Sequence, residues 1–65
     1  MSIDRVLERK RDGQELTAAE IEYFVNAVTN EVATRAQAAA FLAFVFIQGM
    51  TAAETVALTL AMADS

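Results

Sequence analysis

Three times in 65 residues a threonine stands three positions ahead of a glutamate or glutamine, each time at the head of an apolar segment. The three stretches are Thr17-Ala18-Ala19-Glu20, Thr34-Arg35-Ala36-Gln37 and Thr51-Ala52-Ala53-Glu54. In a capping box the threonine oxygen takes the backbone N–H three residues on. The Glu or Gln side chain reaches back to the threonine N–H, so two otherwise orphaned donors are satisfied. One match carries little weight, but three predict three helix starts. Ser2, with Asp4 in the turn behind it, predicts an earlier fourth. The stops agree. Gly13 follows Arg9-Lys10-Arg11, and cations suit the last turn of a helix. Asn30 is expected as a left-handed terminator, and Gly49 as a better one.

The chain has no proline and two glycines, and nothing in it reads as a strand or hairpin. The expectation is an all-α chain, one helical domain over 1–65, with helices over 2–12, 17–29, 34–48 and 51–63. The arrangement expected is compact, orthogonal or bundle-like. The links are short, so successive helices are expected to pack as neighbours. The threonine boxes recur every 17 residues, but the helix bodies differ, which reads as a helix–turn rhythm rather than a repeat family.

The first helix is expected to bury Ile3, Val6 and Leu7 and to show Arg5, Glu8 and Arg9 to water. The second carries Ile21, Phe24, Val25 and Val28 at helical spacing, with Leu16 stapling against Ile21 at its entry. Tyr23 and Ala27 lie off that stripe and leave room for a second contact. Tyr23 and the phenylalanines, at helical spacing, read as core rather than as a stacking platform. The third helix contains the stretch 37–49, QAAAFLAFVFIQG, with no polar side chain between its glutamines. Its bulky face carries Phe41, Phe44 and Val45, flanked by Gln37 and Gln48. Its small face carries Ala36, Ala39, Ala40, Ala43 and Ile47. In the fourth, Val56, Leu58, Leu60 and Met62 surround the axis. From Ala36 to Ala63 the sole charged residue is Glu54.

Helices apolar all round are expected to be buried all round. Four short helices have too little bulk to enclose two of their own number, and burying one Leu or Phe contributes roughly 1.5–3 kcal/mol. Helices 3 and 4 are therefore expected to pack against another copy or domain, so that the chain self-associates. The candidate interface is Ala36, Ala39, Ala40, Ala43, Ile47, Leu58 and Met62. A membrane span is not expected, because one needs about 20 apolar residues and the run 36–47 is shorter and ends at Gly49.

Little chemistry is on offer. With no histidine and no cysteine, nucleophilic triads and thiolate metal sites are excluded in their usual forms. Glu15, Glu20 and Glu22 gather at the start of the second helix, where its dipole favours acids without any metal or catalytic role. Arg9-Lys10-Arg11 reads as a solvated helix end. A net charge of −4 argues against nucleic acid or an anionic membrane as partner. Only Arg35 and two glutamines could read base edges on the third and fourth helices. The start, Met1-Ser2-Ile3-Asp4-Arg5, has no apolar core of a signal peptide, and a cytoplasmic chain is expected. No catalytic residue, metal or cofactor is assigned.

Several segments together are similar to the N-terminal helical domain of thymidine and pyrimidine-nucleoside phosphorylases, a domain type shared with AMP phosphorylases and, more distantly, anthranilate phosphoribosyltransferases. They are Lys10-Arg11-Asp12-Gly13, Leu16, Glu20-Ile21, Phe24-Val25-Asn26, Gln37-Ala38, Gly49-Met50-Thr51 and the ending Leu58 to Ser65. The resemblance covers nearly the whole chain. It implies a part of enzymes that cleave a nucleoside with phosphate to give a base and a pentose 1-phosphate, in a cleft between this helical domain and a large α/β domain. It also implies a homodimer joined through the helical domains. The family's phosphate-binding loop and catalytic residues match no position here, which implies a fragment that is not catalytic alone. The alternative is an independent helical adaptor.

Overall fold

All four expected helix starts form. The computed structural model describes residues 1–64, so Ser65, the last residue of the resemblance, lies outside the described residues. The Arg5 N–H donates to Ser2 Oγ at 3.1 Å. At Thr17 and Thr34 both halves of the capping box are made, the threonine oxygen accepting from the Glu20 or Gln37 N–H at 3.1 Å. The reciprocal bonds to Glu20 Oε1 and Gln37 Oε1 measure 2.9 and 2.8 Å. The third box, Thr51 with Glu54, closes the same way at 3.1 and 2.9 Å. The helices behind these caps are α1 (Ile3–Arg11), α2 (Ala18–Thr29), α3 (Arg35–Gln48) and α4 (Ala52–Asp64), with no strand among the described residues.

The helix ends follow backbone geometry. After α1, Gly13 takes φ +80 and its N–H donates to the Lys10 carbonyl, while Gln14 N–H donates to that of Arg9. This pair of crossing bonds is a Schellman turn. After α2 the same two bonds recur, from Glu31 to Val28 and from Val32 to Ala27. Here the left-handed residue is Glu31, at φ 59, and not Asn30, which stays at φ −90. Asn30 is the last residue holding near-helical angles, so the reversal falls one position later, on a residue that carries a Cβ. Gly49 ends α3 at φ 76 and ψ −176, a region that essentially only glycine enters.

The core is Val6, Leu16, Ile21, Phe24 and Phe41, with Ile3, Leu7, Val25, Val45, Ala57 and Leu58 packed around it. Leu16 and Ile21 lie together in it, as a hydrophobic staple requires. The rings of Phe24 and Phe41 stack with centroids 4.4 Å apart. Close packing joins α2 with α4, α1 with α3, and α1 with α2. The neighbour expectation therefore holds for α1 with α2 and, through the Phe24–Phe41 stack, for α2 with α3, while α3 and α4 have no comparable packing. A short link keeps two helix ends together but does not align their axes, and the sharp reversals at Glu31 and Gly49 send the chain across to the other pair.

The faces of α3 divide as expected, with Phe41 buried and Phe44 and Val45 half-buried toward the core. The opposite side is open to solvent, so α3 is not enclosed within one chain. In α2 the stripe bends at its end. Val28 is 41 % exposed and Ala27 is buried, because the carbonyl of Ala27 receives the returning Val32 and Ala33 N–H groups. Tyr23 is exposed rather than core.

Candidate functional site

Two places on this frame carry unusual chemistry: a buried polar clamp and an exposed apolar face. The clamp begins with Lys10, in the last turn of α1. The expectation of a solvated basic end holds for Arg11, which is exposed and paired with Asp12 at 3.0 Å. It fails for Lys10, whose ammonium donates to both Glu54 oxygens at 3.1 Å, the two side chains being 4 % and 1 % exposed. Arg9, also expected in water, is drawn in: Nη1 lies 3.3 Å from Glu20 Oε1 and Nη2 donates to the Glu15 carbonyl at 2.9 Å. The next turn of the chain reverses at Gly13 and brings a cap to be satisfied close to α1, which sequence order alone does not show.

Glu54 holds three segments at once. Oε1 accepts the Thr51 N–H and Oε2 the Leu16 N–H, each at 2.9 Å, in addition to the two bonds from Lys10. Burial alone would raise the carboxyl. The Leu16 and Thr51 N–H groups and the Lys10 ammonium outweigh it and hold the acid below its ordinary value. A carboxylate kept ionised in this way is no general acid at neutral pH. Beside it opens a cleft of about 250 Å³ lined by Lys10, Gly13, Glu15, Gln48, Thr51 and Glu54 among others. The acids expected together are not a cluster. Glu20 caps α2 and meets Arg9, Glu15 Oε2 accepts the Thr51 hydroxyl at 2.7 Å, and Glu22 faces outward. No group of three metal-binding side chains occurs among the described residues.

The apolar face lies on the far side of α3. Of the seven candidate interface residues, Ala36, Ala39, Ala43 and Ile47 are exposed together there, and Ala40 is half-buried at its edge. Leu58 and Met62 belong elsewhere. Leu58 is half-buried against the core, and Met62 is exposed. Both border a second feature, an apolar groove of about 310 Å³ between α2, α3 and α4 whose floor is Phe24 and Phe41.

Two bulky residues of the α3 face escape the sequence reading. Leu42 is 67 % and Phe46 is 90 % exposed, beside Ile47 at 72 %. This corrects the reading of the phenylalanines as core and of the face as small. At about 100° per residue, Phe46 and Leu42 fall on one side of the Ala39–Ala43 line and Ala36 and Ile47 on the other, so a full helical projection places all of them on the outer face. On α4, Val56 and Leu60 are likewise exposed. No helix among the described residues is long and apolar enough to cross a membrane.

The helical bundle domain of the glycosyl transferase family matches residues 4–65. The thymidine phosphorylase of Mesorhizobium japonicum is 52 % identical over 60 residues, and that of Agrobacterium fabrum 48 %. The pyrimidine-nucleoside phosphorylase of Staphylococcus epidermidis is 43 % identical. Each match covers 92 % of this chain and 14 % of the relative, so the chain spans about a seventh of the length of these curated relatives. No solved structure matches the chain.

Proposed function

This chain belongs to the helical bundle domain of the glycosyl transferase family, and we propose that it is the association module of a nucleoside phosphorylase. In this reading two copies pair across the outer faces of α3 to form a homodimer, and the catalytic groups are supplied by an α/β portion. The observation that carries the proposal is the α3 face itself. Leu42, Phe46 and Ile47 stand mostly in solvent around the alanines 36, 39 and 43. Exposed apolar area of this kind is unfavourable by about 25 cal/mol per Å², and contiguous patches mark association surfaces. The alanines let a second helix approach closely. Arg35 is the only charged residue of α3, so a two-fold pairing brings no run of like charges together.

The reaction of the whole enzyme is proposed from the names of the relatives: a pentosyl transfer from nucleoside to phosphate, giving base and pentose 1-phosphate. The isolated chain is proposed to be non-catalytic, since it has neither histidine nor cysteine and its one clamped carboxylate is committed to the fold. Its setting is proposed to be the cytoplasm. The groove between α2, α3 and α4 supports a second reading, an adaptor that receives a helix from another protein, because its lining is mostly apolar and includes the exposed Val28, Leu42 and Met62.

Light scattering over a dilution series tests the association. The expected result is a dimer that dissociates on dilution and is weakened by Ala43→Glu. A monodisperse monomer well above micromolar concentration would sink the reading.

A further inference from the structure

We infer that the cleft between α2 and α4 is a docking surface for an amphipathic helix of another protein that carries lysine or arginine. This surface is separate from the α3 face and does not rest on the association reading. The cleft has a volume of about 390 Å³. Ala18 and Glu22, one helical turn apart, stand on its α2 side. Ala57, Leu60, Ala61 and Asp64 line the other side, at a spacing that puts them on a single face of α4. The alanines keep both walls low, which lets a helix approach closely. Leu60, 61 % exposed, supplies apolar surface for it to cover.

Charge decides the occupant. The cations of the chain are Arg5, Arg9, Lys10 and Arg11 on α1 and Arg35 on α3, so α2 and α4 carry none. Most of the nine carboxylate side chains are answered within the chain. Glu8, Asp12, Glu20 and Glu54 each meet a cation, and Asp4 and Glu15 each accept a hydrogen bond. Glu22, Glu31 and Asp64 have no such partner among the described residues. Glu31 sits on the turn after α2, but Glu22 and Asp64 border this one cleft. An apolar floor with carboxylates at its edge complements a side chain with an aliphatic stem and a cationic tip. The stem lies along Ala57, Leu60 and Ala61, and the tip meets Glu22 or Asp64. A net charge of −4 draws a basic partner in and repels a phosphate backbone or an anionic lipid surface. A second copy has no such helix to offer, because every cation of α1 is already paired within its own chain.

The test titrates a synthetic helical peptide, leucine on one face and lysine on the other, into the isotope-labelled chain and follows the backbone amides by NMR. The shifts are expected to gather at Ala18, Glu22, Ala57 and Ala61. Glu22→Gln combined with Asp64→Asn should weaken binding about tenfold. Glu8→Gln combined with Glu31→Gln removes the same charge elsewhere and should change it by less than about twofold. All four positions are exposed, so the fold tolerates both pairs. A peptide with glutamate in place of lysine should not bind. Shifts confined to the outer face of α3, or to the groove over Phe24 and Phe41, would overturn the inference. So would an equal loss from the two pairs of substitutions, binding of the glutamate peptide, or no binding at all.

Discussion

The Lys10 ammonium sits 3.1 Å from both oxygens of Glu54, a residue 44 positions away, with neither side chain more than 4 % exposed. A buried pair is weak evidence of stability when desolvation is set against attraction. Here the two backbone N–H groups of Leu16 and Thr51 complete the carboxylate shell, so breaking the pair strands groups on three segments.

Removal of one partner is accordingly severe. Glu54→Gln leaves the Lys10 ammonium buried without a counter-charge, at a cost of about 3–5 kcal/mol. Lys10→Met leaves a carboxylate that keeps two N–H donors, and falls at the lower end of that range. At roughly 0.05–0.15 kcal/mol per residue, a chain of this size has little more than this to lose. Urea titration followed by circular dichroism is expected to show Glu54→Gln largely unfolded. A cost below about 1 kcal/mol, typical of exposed pairs, would show the clamp to be open in solution.

The same carboxylate sets an acid dependence. Its folded-state pKa is lowered, so the unfolded chain binds the proton more readily. The stability it contributes is present above the ordinary glutamate value of about 4.3 and is lost as pH falls through the lower folded value. The urea midpoint is expected to fall between pH 7 and pH 3. In Glu54→Gln, studied in a stabilising osmolyte, that slope should shrink. An equal slope in both would place the acid sensitivity on other carboxylates.

Backbone conformation gives two substitutions of opposite sign. Glu31 holds φ 59 with a side chain that disfavours it, and Glu31→Gly is expected to raise stability by roughly 0.5–1 kcal/mol, the relief exceeding the added freedom of the unfolded chain. Gly49→Ala meets no atom within 4 Å, yet is expected to lose about 1–3 kcal/mol because the φ and ψ it must keep are strained for alanine. Melting temperatures of the two variants check both signs.

The phenylalanines of α3 should divide by face. Phe41→Ala removes the ring stacked on Phe24 and is expected to cost about 3–5 kcal/mol. Phe46→Ser, at a position 90 % exposed, should change the stability of the folded single chain by no more than about 0.5 kcal/mol while lowering the mass seen by light scattering. A large loss of stability measured at high dilution would mean that Phe46 is covered within its own chain.

What was legible in the sequence is what acts over three or four residues. The capping boxes at Thr17, Thr34 and Thr51 and the left-handed Gly13 are local bargains between a side chain and the backbone beside it, and each forms as read. The bulky face of α3 was legible too, since Phe41, Phe44 and Val45 share one side by periodicity alone. What escaped needs the third dimension. Lys10 looks like any basic helix end until the reversal at Gly13 carries Leu16 and the cap of α4 over it. Pairing of α2 with α4 and of α1 with α3 depends on the angle at which each link leaves its helix, and no residue type encodes that angle. Phe46 is a different case: its place on the outer face of α3 follows from helical periodicity, and what the sequence does not show is that no other helix of the chain covers it.

The bond from the Leu16 amide to Glu54 also makes the loop after α1 a reporter. That N–H lies outside any helix, where exchange with solvent water would ordinarily be fast, yet it is sealed by a buried carboxylate that arrives only with α4. Its protection against deuterium exchange therefore reports the free energy of the opening that lifts α4 from its dock, and a single resonance in the loop reads that equilibrium without any label on the helix that moves.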